Sequence, residues 1–271
     1  MLSFWCRQWR SFLLAVGFFT RIPVPHLPDF QEQELNHAAR YFPLVGIIVG
    51  LAGAAVYVFA QQIFPGEIAV LLSMAATIYL TGAFHEDGLA DSADGLGGGW
   101  NREQILTIMQ DSRLGTYGAI ALFLMLFSKF QLLNVLPAQF VAYALIIAHA
   151  ASRLCAVYVM ATSNYVKASG KAKPLASKVQ VQDILTATVF GLLPMVLLSC
   201  YFSTAEVGVS NAATFALCMM LPACVVWFWW RQKIQRWIGG YTGDCLGAMQ
   251  QLTELAFYLG FAAYFSLISK F

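Results

Sequence analysis

Charge is what this sequence has least of. Lys, Arg, Asp and Glu make up 11% of its 271 residues, while 59% are hydrophobic and the mean hydropathy is +0.65. Soluble domains carry about 25% charged residues, so an ordinary soluble enzyme is excluded and an integral membrane protein is indicated. The net charge of +2 is too small to hold a nucleic acid, and none is expected as a partner. Six cysteines (Cys6, Cys155, Cys200, Cys218, Cys224, Cys245) show no Cys-x-x-Cys spacing and fall mostly in apolar runs, which argues against a zinc site or a disulfide framework. There is no Walker loop, no Gly-x-Ser-x-Gly elbow and no His-Glu-x-x-His, and no internal repeat or low-complexity stretch stands out. The opening MLSFWCRQWRSFLLAVGFFTRIPVP has the basic start of a signal peptide but lacks an Ala-x-Ala-like cleavage site. It reads as a retained, partly interfacial segment with Trp5 and Trp9 near the headgroups.

What the sequence does have is apolar length. A membrane helix needs about 20 largely apolar residues, and windows near 43–63, 68–85, 116–136, 138–162, 184–203, 212–230 and 252–269 qualify. The expected fold is therefore all-α: a single membrane domain over 1–271, a polytopic bundle of about seven transmembrane helices behind the N-terminal segment. Gly46-x-x-x-Gly50 lets the first of these helices pack closely on a neighbour. The segments at 1–42, 86–115, 163–183 and 231–251 hold 13 Lys and Arg, and the turns near 64–67, 137 and 204–211 hold none. By the positive-inside rule the N-terminus and the long polar loops are expected in the cytoplasm and the C-terminus outside. Two cations fall within spans: Lys129 is expected to snorkel, and Arg153 to meet a substrate phosphate or the acidic cluster described next. His149, one turn from Arg153, is expected to be a packed interior histidine.

That cluster is Gly82 to Gly99, GAFHEDGLADSADGLGGG, which packs Glu86, Asp87, Asp91 and Asp94 into a chain otherwise poor in charge. On a helix, Asp87, Asp91 and Asp94 share one face. Like charges that close repel unless a cation sits among them. Oxygen-only donors favour Mg²⁺ or Mn²⁺ over zinc, and Mg²⁺ is usually held by one or two carboxylates plus substrate phosphates. A solvated acidic loop is the alternative.

Three further segments lie on the same expected face: Asp111-Ser112-Arg113-Leu114-Gly115-Thr116-Tyr117-Gly118, Lys167 to Lys173 with Lys171, and Gly239-Gly240-Tyr241-Thr242-Gly243-Asp244. Glycines at helix entrances let backbone N–H groups approach an anion, and Arg113 can add a bidentate fork. They could equally be turn and cap residues. Carboxylates, a metal, glycine loops and Arg or Lys together fit transfer of a phosphoryl-linked group, with one carboxylate accepting the nucleophile's proton.

Phe19-Thr20-Arg21-Ile22-Pro23-Val24-Pro25, Phe42-Pro43-Leu44-Val45-Gly46, the acidic stretch, Asp111 to Gly118 and Gly240 to Ala248 resemble the cobalamin synthase family of adenosylcobinamide-GDP ribazoletransferases, nearly end to end. The resemblance implies a Mg²⁺-dependent enzyme of the bacterial inner membrane. Such an enzyme joins adenosylcobinamide-GDP to α-ribazole or its 5′-phosphate and releases GMP with adenosylcobalamin or its 5′-phosphate. It implies Asp87, Asp91 and Asp94 on metal and pyrophosphate, Asp111 and Asp244 on metal or the proton, and Arg113, Arg153, Lys171, Gly240, Thr242 and Gly243 on substrate and phosphate. Glu86 departs from the family pattern, in which an apolar residue precedes the first aspartate, and is left out of the ligands. The lipid bilayer is the other expected partner, and a homo-oligomer is compatible with the sequence.

Three other classes compete. A CDP-alcohol phosphotransferase expects Asp-Gly-x-x-Ala-Arg, whereas Asp91 stands directly after Asp87-Gly88-Leu89-Ala90. A prenyltransferase needs two Asp-rich motifs, and Gly240 to Asp244 has a single aspartate. An ion-coupled transporter would place its acids at mid-membrane in two related halves, which this chain does not show.

Overall fold

Apolar runs of this length leave the backbone no partner but itself, so they wind into helices. The computed structural model describes residues 4–25, 32–166, 179–204 and 209–268. Helix α1 is Phe4–Phe19, and a 3-10 helix over Glu32–Tyr41 leads into α2, Phe42–Ala60. Then come α3 (Gly66–Thr81), α4 (Phe84–Gly98), the short α5 (Arg102–Ile108), α6 (Thr116–Val135), α7 (Ala138–Thr162), α8 (Val181–Thr204), α9 (Val209–Ile238) and α10 (Gly243–Ile268). Extended pairing among the described residues is limited to one bridge between Tyr165 and Tyr241. The protein is an all-α polytopic membrane bundle. Among its described residues, six helical stretches are long and apolar enough to span a bilayer, and a seventh is a helix pair bent by 85°.

α1 is amphipathic. Ser11, Ala15 and Phe19, one turn apart, are buried, while Trp5 and Trp9 are 79% and 60% exposed. That is the geometry of a helix lying along an interface, and α1 is not among the spanning stretches. It is anchored where Gln8 Oε1 accepts from the Tyr41 hydroxyl at 2.7 Å and from Arg40 at 2.9 Å. Arg40 in turn donates through Nε to Asp183 at 2.6 Å, a buried ion pair that ties the 3-10 helix to the start of α8.

α7 and α10 form the centre. Helices in lipid gain little from apolar burial alone and associate through close contact of small residues. A side chain at Gly46 would put Cβ 2.2 Å from the His149 carbonyl oxygen, and at Gly50 2.6 Å from the Ile146 Cα, so the expected glycine seam is the seat of α2 on α7. α10 packs on α7, α9, α4 and α6.

Two windows differ from the expected spans. The second, 68–85, is interrupted: α3 ends at Thr81, Gly82 and Ala83 take left-handed conformations (φ 66° and 57°), and α4 sets off in a new direction. The last helix starts at Gly243 rather than 252, so Asp244 lies in its first turn. Lys129 does not snorkel. It is 4% exposed and bonded inside the bundle, as described below.

Candidate active site

The acidic stretch is helical, as its i, i+4 spacing predicts, and α4 is moored on two sides. On one side Gly88 meets α10. A Cβ there would sit 2.9 Å from the Asp244 carbonyl oxygen and 3.2 Å from the Gly247 Cα, so any side chain at 88 would push the helices apart. Asp87, exposed, and Asp91, half-buried, flank Gly88 on α4, and half-buried Asp244 belongs to the backbone on which Gly88 rests. Three aspartates therefore belong to the segments that meet at this helix contact.

The other mooring is Asp94, and here the structure departs from the expected ligand set. Asp94 is 9% exposed. One carboxylate oxygen accepts from the Gly115 N–H and the other from the Gly118 N–H, each at 2.8 Å. These are donors at the start of α6, which the helix cannot satisfy itself and where the dipole favours an anion. Gly115 and Gly118 do cradle an anion, and it is the chain's own. Among the described residues no group of three or more His, Cys, Asp or Glu stands as a metal site would require, so Asp87, Asp91 and Asp94 are not gathered as a triad.

The remaining expected residues separate. Asp111 and Arg113 pair with each other in the loop before α6, Arg113 donating to Asp111 Oδ2 at 2.6 Å, with their side chains 38% and 88% exposed. Hydrogen bonds from Arg113 and its charge hold the Asp111 carboxyl down at about 2. Gly240 and Thr242 are buried in the joint between α9 and α10. A Cβ on Gly240 would strike the Asn164 carbonyl oxygen at 2.0 Å, and the Tyr241 N–H donates to that same oxygen at 2.8 Å. Thr242 accepts from the Cys245 N–H and donates to Asp244 Oδ2, both at 3.2 Å, so its hydroxyl orients Asp244 rather than facing outward. Burial, then the nearby Asp244 carboxylate, push the Tyr165 phenol up. Gly243 borders open space. Lys171 lies outside the described residues.

A second polar group lies within the bundle. Lys129 is paired with Glu254 at 2.9 Å and donates to Gln251 at 2.7 Å. Glu254 also accepts from Gln250 at 2.7 Å and from the Tyr258 hydroxyl at 3.0 Å, and it faces His149 Nδ1 at 3.6 Å. Gln251 donates to Glu86 at 3.0 Å, which connects this network to α4. Arg153, 2% exposed, lies beside it and donates to the His149 carbonyl oxygen at 2.9 Å. Its Nε and Glu86 Oε2 are buried without a hydrogen-bond partner. His149 is the interior histidine expected. Glu254 was legible as an acid inside an apolar run that already held Lys129 and Arg153, since intramembrane ionisable groups pair with one another.

Between these groups lies a small cavity of about 30 Å³, counted as space open to the centre of a water molecule. Phe18, Phe19, Phe42, Phe84 and His85 form one side, and Arg153, Gly243 and Gly247 lie across from them.

Residues 11–262 match the family model of cobalamin-5-phosphate synthase. The chain is similar to an adenosylcobinamide-GDP ribazoletransferase of Ralstonia pickettii, 46% identical over 96% of this chain and 97% of the relative. Proteins of the same name from Ralstonia nicotianae and Shewanella amazonensis are 47% and 45% identical, covering 91% and 95% of this chain and 92% and 96% of theirs. No solved structure matches.

Proposed function

We propose a reaction for this chain on the ground that it belongs to the cobalamin-5-phosphate synthase family. The chain is a multi-pass membrane transferase of cobalamin synthesis. Its substrates are adenosylcobinamide-GDP and α-ribazole or α-ribazole 5′-phosphate, and the step is a phosphotransfer. A secondary ribose hydroxyl, free in both acceptors because the 5′ position stays phosphorylated when the phosphate is used, bonds through its oxygen to the phosphorus that carries the cobinamide arm. The bond from that phosphorus to the bridging oxygen breaks, and GMP leaves with the electron pair. The hydroxyl proton passes to a base.

The observation that supports this reading is the α4–α10 contact, at which Gly88, between Asp87 and Asp91 in sequence, rests on the backbone of Asp244 beside a small aromatic-lined cavity. Asp244 is the better proton acceptor. Asp111, held at about 2 by Arg113, is a weak base and is occupied by its partner. Thr242 donates to one Asp244 oxygen and fixes the carboxylate at the entrance of α10. Asp87 and Asp91, oxygen donors one turn apart, one exposed and one half-buried, fit Mg²⁺ as it is usually held, by one or two carboxylates with substrate phosphates completing the shell. When bound there, the ion supplies neutralisation of the diphosphate charge. Asp94 serves this site by fixing α4 to α6 rather than by touching substrate. We place the protein in the bacterial inner membrane, with the aspartates on the cytoplasmic side, from the distribution of Lys and Arg.

The test is incubation of liposome-reconstituted protein with adenosylcobinamide-GDP and α-ribazole or its phosphate, with Mg²⁺ or with EDTA, reading GMP and corrinoid product. Both products should form with Mg²⁺ and neither with EDTA. Well-folded protein that forms neither with Mg²⁺ would refute the reaction.

A further inference from the structure

We infer that the apolar chamber between α7, α8 and α9 is a binding site for an anionic phospholipid, with an acyl chain in the chamber and the headgroup on Arg231. The chamber has about 220 Å³ open to the centre of a water molecule, against about 30 Å³ in the cavity beside Arg153. Leu154, Cys155, Leu192, Ala223, Trp227 and Phe257 are among its walls, and its surface is almost wholly apolar. A dry apolar cavity of about 150 Å³ already admits benzene, so this one has room for an apolar guest and gives water little to bond to. Its depth and its opening say which guest. Along α7 the lining runs from Ala151 to Thr162, a rise of about 16 Å at 1.5 Å per residue. One leaflet's share of a hydrocarbon core of about 30 Å is about 15 Å. The rim faces lipid: Met220 and Cys224 line the chamber and are exposed, and only 22% of the α8 spanning window and 17% of the α9 window is buried within the bundle.

At the Thr162 end of the chamber stands a cation. Arg231 donates through Nε to the Thr162 hydroxyl at 2.9 Å and through a terminal nitrogen to the Thr162 carbonyl oxygen at 2.6 Å. Its guanidinium lies 5.8 Å from the centre of the Trp227 ring, which is itself a wall of the chamber. Those two bonds leave most of the five guanidinium N–H donors for a phosphate. Lys233 follows on α9, its ammonium 5.3 Å from the centre of the Trp229 ring. Among the described residues neither Arg231 nor Lys233 pairs with a carboxylate. Basic side chains without a counter-charge, at the end of an apolar slot one leaflet deep, match an anionic phospholipid.

Native mass spectrometry of the purified, delipidated protein, titrated with phosphatidylglycerol or phosphatidylcholine, tests this. A single phosphatidylglycerol per chain should bind roughly fivefold or more tightly than phosphatidylcholine, the scale of one basic residue at an anionic headgroup. Arg231→Gln should bring the two lipids level, and Ala223→Trp, which fills the chamber, should abolish the tight site. Equal affinities in the wild-type protein, or an undiminished phosphatidylglycerol site in folded Ala223→Trp, overturns the assignment. Should Ala223→Trp fail to fold, fluorescence decides. In phosphatidylcholine vesicles with a minor share of phosphatidylglycerol brominated along its chains, wild-type tryptophan emission should be quenched more than that of Trp227→Phe, and more than by brominated phosphatidylcholine at the same share. Equal quenching of the two proteins, or by the two lipids, overturns it as well.

Discussion

Replacement of Asp94 separates a metal ligand from a helix mooring. Both of its oxygens are engaged at 2.8 Å with backbone N–H groups of Gly115 and Gly118, the latter buried. Losing a capping acceptor costs about 0.5–2 kcal/mol. Here the acceptor is charged and its two donors would be stranded, so Asp94→Ala should cost about 2–4 kcal/mol. Asp94→Asn keeps one acceptor oxygen and loses the charge, and should cost about 1–2 kcal/mol. At about 2–4 °C per kcal/mol, the alanine variant should melt roughly 4–16 °C lower in a thermal scan of the purified protein. Activity should fall with the folded fraction, and the Mg²⁺ concentration for half-maximal rate should stay unchanged, whereas Asp87→Asn should raise that concentration without lowering the melting point. An Asp94→Asn protein that melts normally but demands more Mg²⁺ would refute the mooring.

The buried Lys129–Glu254 pair should behave as charges do in an apolar interior: Lys129→Met alone strands a carboxylate and should cost about 3–5 kcal/mol. The double change Lys129→Met with Glu254→Gln should recover much of it, and additive losses in denaturation would contradict the pairing. Ala83 holds φ 57°, which costs a side chain about 1–2 kcal/mol, so Ala83→Gly should stabilise by about 0.5–1 kcal/mol after glycine's chain entropy is subtracted; an unchanged or lower melting point would contradict the strain. Asp111 should titrate near 2 in carboxyl NMR, below its usual 3.8. Because the folded value is depressed, the contribution of the Asp111–Arg113 pair is full above about pH 4 and fades as pH falls through about 2; Arg113→Ala should return the midpoint toward 3.8.

The spans and the acid-bearing helix were legible because both depend on local pattern: apolar length in one case, i, i+4 spacing in the other. What escaped depends on contacts remote in sequence. Asp94 looks like Asp87 and Asp91 until the entrance of α6, beginning at Gly115, is brought against it. The break in the second window turns on Ala83, a strong helix former that reads as continuation, while tertiary packing holds it left-handed. The glycine segments were expected either to approach a substrate anion or to serve as turn and cap residues. At Gly115 and Gly118 it is a carboxylate of the chain, and at Gly240 a carbonyl oxygen of Asn164 lies where a side chain would be.

The double mooring of α4 also orders events during synthesis. Too acidic to enter the bilayer as an ordinary span, the helix emerges long before its supports. Asp94 has no donors until α6 begins at Thr116, and Gly88 has no seat until translation passes Gly243. Through that interval Asp87 and Asp91, the carboxylates proposed to act, lie apart from Asp244 beside a growing set of inserted helices. A chain stalled before α10 would hold most of its membrane spans but only the α4 half of the proposed site, so on this reading it should be silent until its final helix arrives.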